Sequence, residues 1–360
     1  MQPEDSTGRK KFLFLFTELA GYIVACLKQL SDTYPVEVHV VRWPVNQVAP
    51  FQFSLEGNNI HFYERHDFDE AQLLDWAVQF DPDVIFCSGW IDKGYVKICK
   101  HFVNKVPTIL TFDNPWRNTL KQNIASLIGP LYLRRYYSAC WVSGAPQKKY
   151  ALKLGFNEKI ITEGYYSCDF SFFHNQYHLN REEKLKDFPK KIIFVGRYTK
   201  LKGVTELWEA FMEFLRRYDT DWELWCLGKG ELEKSFPVHD KIKNFGFVQP
   251  TEMPRFIRES GVFILPSHYE HWGVAVHEFA AAGFPLVCSD STGAATAFLK
   301  DEYNGFLHKP CSVRALVDVF RRISKTPVDE LVSMGDRSAE MASVITPETW
   351  CSTAMNHLKN

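Results

Sequence analysis

Leu265-Pro-Ser-His-Tyr-Glu270-His-Trp-Gly273-Val-Ala-Val-His-Glu278-Phe-Ala-Ala-Ala-Gly283-Phe-Pro285 is the stretch whose reading decides the fold. It follows the apolar run Val262-Phe-Ile-Leu265, which is short, bulky and without alternation, as a strand buried on both faces should be. Pro266 and Ser267 break that run. Gly273 opens a small-residue helix that Gly283 stops, and Leu286-Val-Cys-Ser289 then reads as the next strand. Strand, loop, helix and strand in this order form a parallel βαβ unit. In such units ligands sit at the carboxyl ends of the strands.

The same pattern extends outward in both directions. Lys191–Val195 reads as a strand, Gly203–Tyr218 as a helix and Trp222–Leu227 as a strand. In the first half, Lys11–Phe16, Val36–Val41, Val84–Cys87, Thr108–Phe112 and Ala139–Val142 read as strands. Helical patterns lie between them, among them Asp69–Phe80 and Ala145–Leu154. Two doubly wound, Rossmann-like α/β domains are expected, over 1–173 and 191–344. The polar segment 174–190 is expected to be a linker. Residues 345–360 should form a terminal helix, capped by Thr346 with Pro347 in its first turn, that crosses back to the first domain.

At 360 residues, 46% hydrophobic and 24% charged, the chain can build two cores. A net charge of −1 argues against nucleic acid as a partner. The average conceals an asymmetry. Residues 93–159 hold twelve Lys or Arg against Asp113 and Glu158. That stretch reads either as a solvated basic face or as a surface for an anionic membrane, with Trp116, Tyr132, Tyr136 and Tyr137 inside it. The nine scattered cysteines include no Cys-x-x-Cys and read as small core residues. With no signal core and no long apolar run, the expectation is a cytoplasmic protein, peripheral at the inner membrane face.

Gly196 ends a strand and lets the chain turn. Arg197 and Lys202 follow just before a helix, either as a diphosphate clamp or as ordinary surface cations. Gly228-x-Gly230 suits a tight turn. Phe247 and Val248 either read a base edge or belong to a plain core strand. The first N–H groups of the helix, at Gly273, Val274 and Ala275, beside Trp272, could receive phosphate. Glu278 in that helix can accept two hydroxyl hydrogen bonds, as a ribose diol requires, and Glu270 in the loop could reach a sugar. Neither a Walker loop nor a Gly-x-Gly-x-x-Gly after the first strand is present, which disfavours P-loop and dinucleotide enzymes.

Gly196-Arg197-x4-Lys202-Gly203, Gly228-x-Gly230, Phe245-Gly-Phe-Val and Pro266-Ser-x-x-Glu270-x7-Glu278 together resemble the family-4 retaining glycosyltransferases of GT-B fold. The resemblance implies two domains facing across a cleft and a nucleotide-diphosphate sugar donor, UDP- or GDP-linked rather than ADP-linked. It also implies a hydroxyl acceptor, here read as a lipid-linked or surface-polysaccharide glycan, with retained anomeric configuration and neither metal nor cofactor. Arg197 and Lys202 would neutralise the leaving diphosphate, Glu278 would hold the ribose and Glu270 would contact the donor sugar. Gly21 is the one residue that fits the family's glycine pair after the first strand. Asp113 stands where many relatives carry a histidine, and either replaces it at the donor sugar or caps a turn before Pro115. A degenerate nucleotide-sugar-binding protein and a sugar-nucleotide epimerase are the competing readings.

Overall fold

The computed structural model describes residues 8–17, 19–44 and 59–359, so Glu18 of the expected Gly21 loop lies outside it. The chain divides into two compact units. One comprises 1–167 with 345–360, the other 168–344. In chain order the first unit runs β1 (Lys10–Phe16), α1 (Gly21–Thr33), β2 (Val36–Arg42), β3 (Ile60–Glu64), α2 (Glu70–Phe80), β4 (Val84–Ser88), α3 (Lys93–Phe102), β5 (Thr108–Phe112), α4 (Leu120–Tyr132), β6 (Ala139–Val142), α5 (Ala145–Lys153) and β7 (Ile161–Thr162). Among the described residues its seven strands form one parallel sheet in the order β3-β2-β1-β4-β5-β6-β7.

β1 shows why this sheet needs helices on both faces. Its side chains alternate, and both sets are large and apolar. Phe12, Phe14 and Phe16 face one core with α1, while Leu13 and Leu15 face another with α2 and α3. Helix boundaries follow local chemistry. Asp69 caps α2, its carboxylate accepting from the Ala71 and Gln72 amides, each at 2.8 Å, while the Gln72 side chain accepts from the Asp69 amide.

The second unit runs α6 (Phe170–Lys186), β8 (Lys191–Val195), α7 (Val204–Arg217), β9 (Glu223–Leu227), β10 (Ile242–Gly246), α8 (Met253–Glu259), β11 (Val262–Leu265), α9 (Val274–Ala281), β12 (Leu286–Ser289), α10 (Ala295–Phe298), β13 (Gly305–His308), α11 (Val313–Lys325) and α12 (Val328–Ala342). Its parallel sheet has the order β10-β9-β8-β11-β12-β13. Helix α13 (Pro347–Asn356) then returns to the first unit and packs on α1, with Thr346 capping the Thr349 amide.

The expected linker at 174–190 is corrected by the structure. Most of it is α6, which packs within the second unit against α9 and α12. Its inner face recurs at helical spacing, but it is built from Phe173, Gln176, Asn180 and Lys184. Three of these four are polar, so the segment reads as solvated. Asn180 satisfies itself by donating to the Gln176 carbonyl at 2.7 Å, and Lys184 lays its ammonium 3.7 Å from the centre of the Phe284 ring. Burial pushes the Lys184 pKa down to about 7.

Trp350 of α13 is 1% exposed, stacks 6.0 Å from Phe14 and donates its indole N–H to the Tyr165 carbonyl at 2.7 Å. Trp350→Ala removes a large core side chain and leaves that carbonyl unpaired. Chemical denaturation should show a loss of about 3–5 kcal/mol.

Candidate functional site

The strand order of the second unit reverses between β8 and β11, so the loops leaving these two neighbours diverge and open a crevice. The β8 loop carries Gly196, Arg197 and Lys202; the β11 loop carries Ser267 and Glu270. They are tied together across the switch point. The His268 amide donates to the Leu201 carbonyl at 2.8 Å, and the Lys202 ammonium pairs with the Glu270 carboxylate. Ser267 Oγ donates to the same Glu270 oxygen at 3.3 Å. The pair is largely shielded, with Lys202 19% and Glu270 15% exposed at the side chain, whereas Arg197, earlier in the β8 loop, is exposed.

The Glu270 backbone is fixed too. Its amide donates to the Ser291 carbonyl at 3.2 Å, and its own carbonyl accepts from the Gly293 amide at 3.1 Å. Gly273 then takes φ +90°, a left-handed turn that brings its α-carbon against the Glu270 side chain; a Cβ there would stand 2.9 Å from Glu270 Cγ. That turn launches α9, whose first N–H groups at Val274 and Ala275 begin beside Glu270. On the other side, the Gly228 amide donates to the Gly246 carbonyl at 2.7 Å, and a Cβ on Gly228 would lie 1.9 Å from the Gly196 carbonyl oxygen. The turns after β8, β9 and β10 therefore close-pack through backbone, and only glycine fits at Gly228.

Glu278 sits on α9, half-buried by area, with protein crowding its carboxyl. Burial, reinforced by the charge of Asp169, pushes its pKa up to about 7. Asp169 was not foreseen from sequence, because its position is set across 109 residues. The Cys168 amide donates to His277 Nδ1 at 3.2 Å, so Nε2 carries the proton and donates to the Ala342 carbonyl at 3.0 Å. This histidine anchors the chain leading to Asp169 beside α9.

Several residues named from sequence sit differently. Trp272 is 1% exposed and packs 6.1 Å from Phe298, so its side chain is core and only its backbone borders the loop. Phe247 and Val248 follow the edge strand β10 and are half-buried. Gly21 opens α1 after β1, and Asp113 follows β5, both at carboxyl ends of first-unit strands. The Asp113 carbonyl accepts from Gln147 Nε2 at 2.8 Å. Among the described residues one group has metal-ligand spacing, Glu37, His39 and His61 on β2 and β3, in the first unit rather than among the Lys202–Glu270 residues.

Residues 177–341 match the family described as glycosyl transferases group 1. An uncharacterized glycosyltransferase of Methanocaldococcus jannaschii is 29% identical over 280 residues, covering 69% of this chain and 71% of that protein. The amylovoran biosynthesis glycosyltransferase AmsK of Erwinia amylovora is 28% identical over 162 residues, 41% of this chain and 39% of that protein. The crystal structure of Anabaena HepE in complex with UDP superposes with a TM-score of 0.73 at 14% identity, covering 97% of this chain and 99% of that one. Together these findings support a GT-B glycosyltransferase. The fold is two parallel-sheet α/β domains of GT-B type. The match to the group 1 glycosyltransferases falls on the unit that holds Arg197, Lys202, Glu270 and Glu278.

A carboxyl whose pKa is higher folded than unfolded contributes stability at low pH and loses it as pH rises through the folded value. Glu278 therefore weakens the free protein between about pH 4.5 and 7. Glu278→Gln should raise stability at pH 8 by about 1–2 kcal/mol, after allowing for partial screening, and leave it unchanged near pH 4. Parallel denaturation curves at the two pH values check this.

Proposed function

We propose that the chain is a retaining glycosyltransferase that takes a UDP- or GDP-linked sugar and passes it to a hydroxyl of a lipid-linked or surface-polysaccharide glycan. The observation that carries this reading is the Lys202–Glu270 pair at the switch point, with Arg197 in the same loop as Lys202 and the start of α9 against Glu270. A cation held by a carboxylate is ready to be transferred to an incoming anion. As the diphosphate reaches Arg197 and Lys202, the ammonium turns from Glu270 to phosphate, and Glu270 becomes available to accept hydrogen bonds from the donor sugar.

In the transfer step the bond from the anomeric carbon to the phosphate oxygen breaks, and the bond to the acceptor oxygen forms on the same face. The acceptor proton goes to the departing phosphate oxygen. Negative charge grows on the diphosphate, where Arg197, Lys202 and the α9 N-terminus stabilise it most. These cations supply the charge that a metal ion supplies elsewhere, so we assign the reaction no metal. Glu278, when ionised, accepts from the two ribose hydroxyls. The UDP held by HepE makes uridine the first base to test.

Glu270→Ala should lower kcat by about a hundredfold or more. Calorimetric UDP affinity should be equal or tighter, because Lys202 is released from its partner. Lys202→Ala should do the reverse in binding, weakening UDP by about tenfold or more. Full turnover in Glu270→Ala, read by mass spectrometry of the glycosylated product, would refute the assignment.

A further inference from the structure

Helix α4 inverts the usual amphipathic arrangement. Leu120, Ile124, Leu127, Ile128, Leu131 and Tyr132 fall on one stripe of about 140°, and they are 77%, 53%, 79%, 53%, 73% and 45% exposed. The opposite side faces the protein through Gln122, Ala125, Ser126 and Gly129. Gly129 is the helix's one buried residue, and a Cβ there would lie 3.1 Å from the Leu154 carbonyl oxygen. Pro130 approaches Gly155 more closely still: a Cβ on Gly155 would lie 2.7 Å from Pro130 Cα. The helix is thus clamped flat on its unit by glycine contacts while its large apolar side chains point outward. A patch of that kind marks an interaction surface.

Its electrostatic setting selects the partner. Residues 114–157 contain seven Lys or Arg and no acid. Not all seven are free to serve. Lys148 pairs with Glu158 at 2.9 Å, and Arg134 is spent on the Tyr137 and Ser138 carbonyls. Tyr137, expected among the surface aromatics, is fully buried. Lys121 within α4, Arg135 just beyond it and Lys149 on α5 are exposed. An apolar stripe bordered by cations without acids suits the interface of an anionic bilayer, where apolar side chains reach below the headgroups and cations meet phosphate.

We propose that α4 seats the protein on an anionic phospholipid surface, with Leu127 and Leu131 entering the acyl boundary and Lys121 and Arg135 pairing with headgroup phosphates. The helix lies on the membrane; no helix among the described residues is long and apolar enough to cross one. The inference rests on the reading above of a lipid-linked acceptor and narrows its membrane side to one helix. Lipid binding is measured without sugar transfer, so the two can fail separately.

The test is co-sedimentation of the full chain with vesicles of equal parts phosphatidylglycerol and phosphatidylcholine, against phosphatidylcholine alone. The wild type should pellet with the anionic vesicles only. Leu127→Asp with Leu131→Asp should reduce binding at least tenfold at an unchanged thermal midpoint, because both side chains are exposed already. Lys121→Glu with Arg135→Glu should weaken it by about thirtyfold or more. Wild-type protein left in the supernatant with anionic vesicles would overturn the proposal, as would undiminished binding by the Leu→Asp variant. A dimer in sedimentation velocity that the Leu→Asp variant dissolves would assign the face to a second copy of the chain and also overturn it.

Discussion

The reversal of strand order between β8 and β11 is the constraint on which the site depends. Neighbouring parallel strands whose helices leave toward opposite faces cannot keep their loops together, so the gap above them is a consequence of topology. What this chain adds is a charge pair across the gap. Lys202 and Glu270 lie 68 residues apart in sequence, and each is largely withdrawn from water. A shielded ion pair contributes little net stability, yet losing either partner leaves a charge without compensation. The pair is better understood as holding two loops in register. The backbone around Glu270, pinned by Ser291 and Gly293, keeps one end of that tie fixed.

Much of this was legible in the sequence because the signals were local. Strands such as Thr108–Phe112, Ala139–Val142 and Val262–Leu265 fall where their apolar runs stand. Turn chemistry located Gly196, Gly228 and Gly273, since each serves a turn next to it. The failures share one cause, which is that burial is decided by partners far along the chain. The α6 helix buries Gln176, Asn180 and Lys184, whose polarity disguises the helical period. Trp272 looked like a ligand contact because of its neighbours, but the chain around Phe298 encloses it. Asp169 acts on Glu278 through its charge, from a chain placed by the hydrogen bond that the Cys168 amide donates to His277. The basic strip was visible as a count, while the division of its cations between structural work and open surface needed coordinates.

Two features run against the rules that govern the rest of the molecule. Glu278 keeps an ionisable carboxyl where burial and Asp169 both disfavour its charge. The α4 helix turns glycine inward and leucine outward. Each is destabilising or neutral for folding: a neutral amide would suit the first position, and polar residues would suit the second. A sequence that is locally consistent almost everywhere departs from consistency where something other than folding acts on it. At Glu278 the departure is a hydrogen-bond acceptor kept where the group 1 glycosyltransferase match falls. At α4 it is an apolar face left unmet by the described residues, within a stretch from which acids are missing. The first departure argues for a ligand with hydroxyl groups, and the second for a partner with an apolar interior and an anionic skin. A sugar nucleotide and a glycan carried on lipid satisfy the two requirements together, which is why a single reading of the molecule accommodates both.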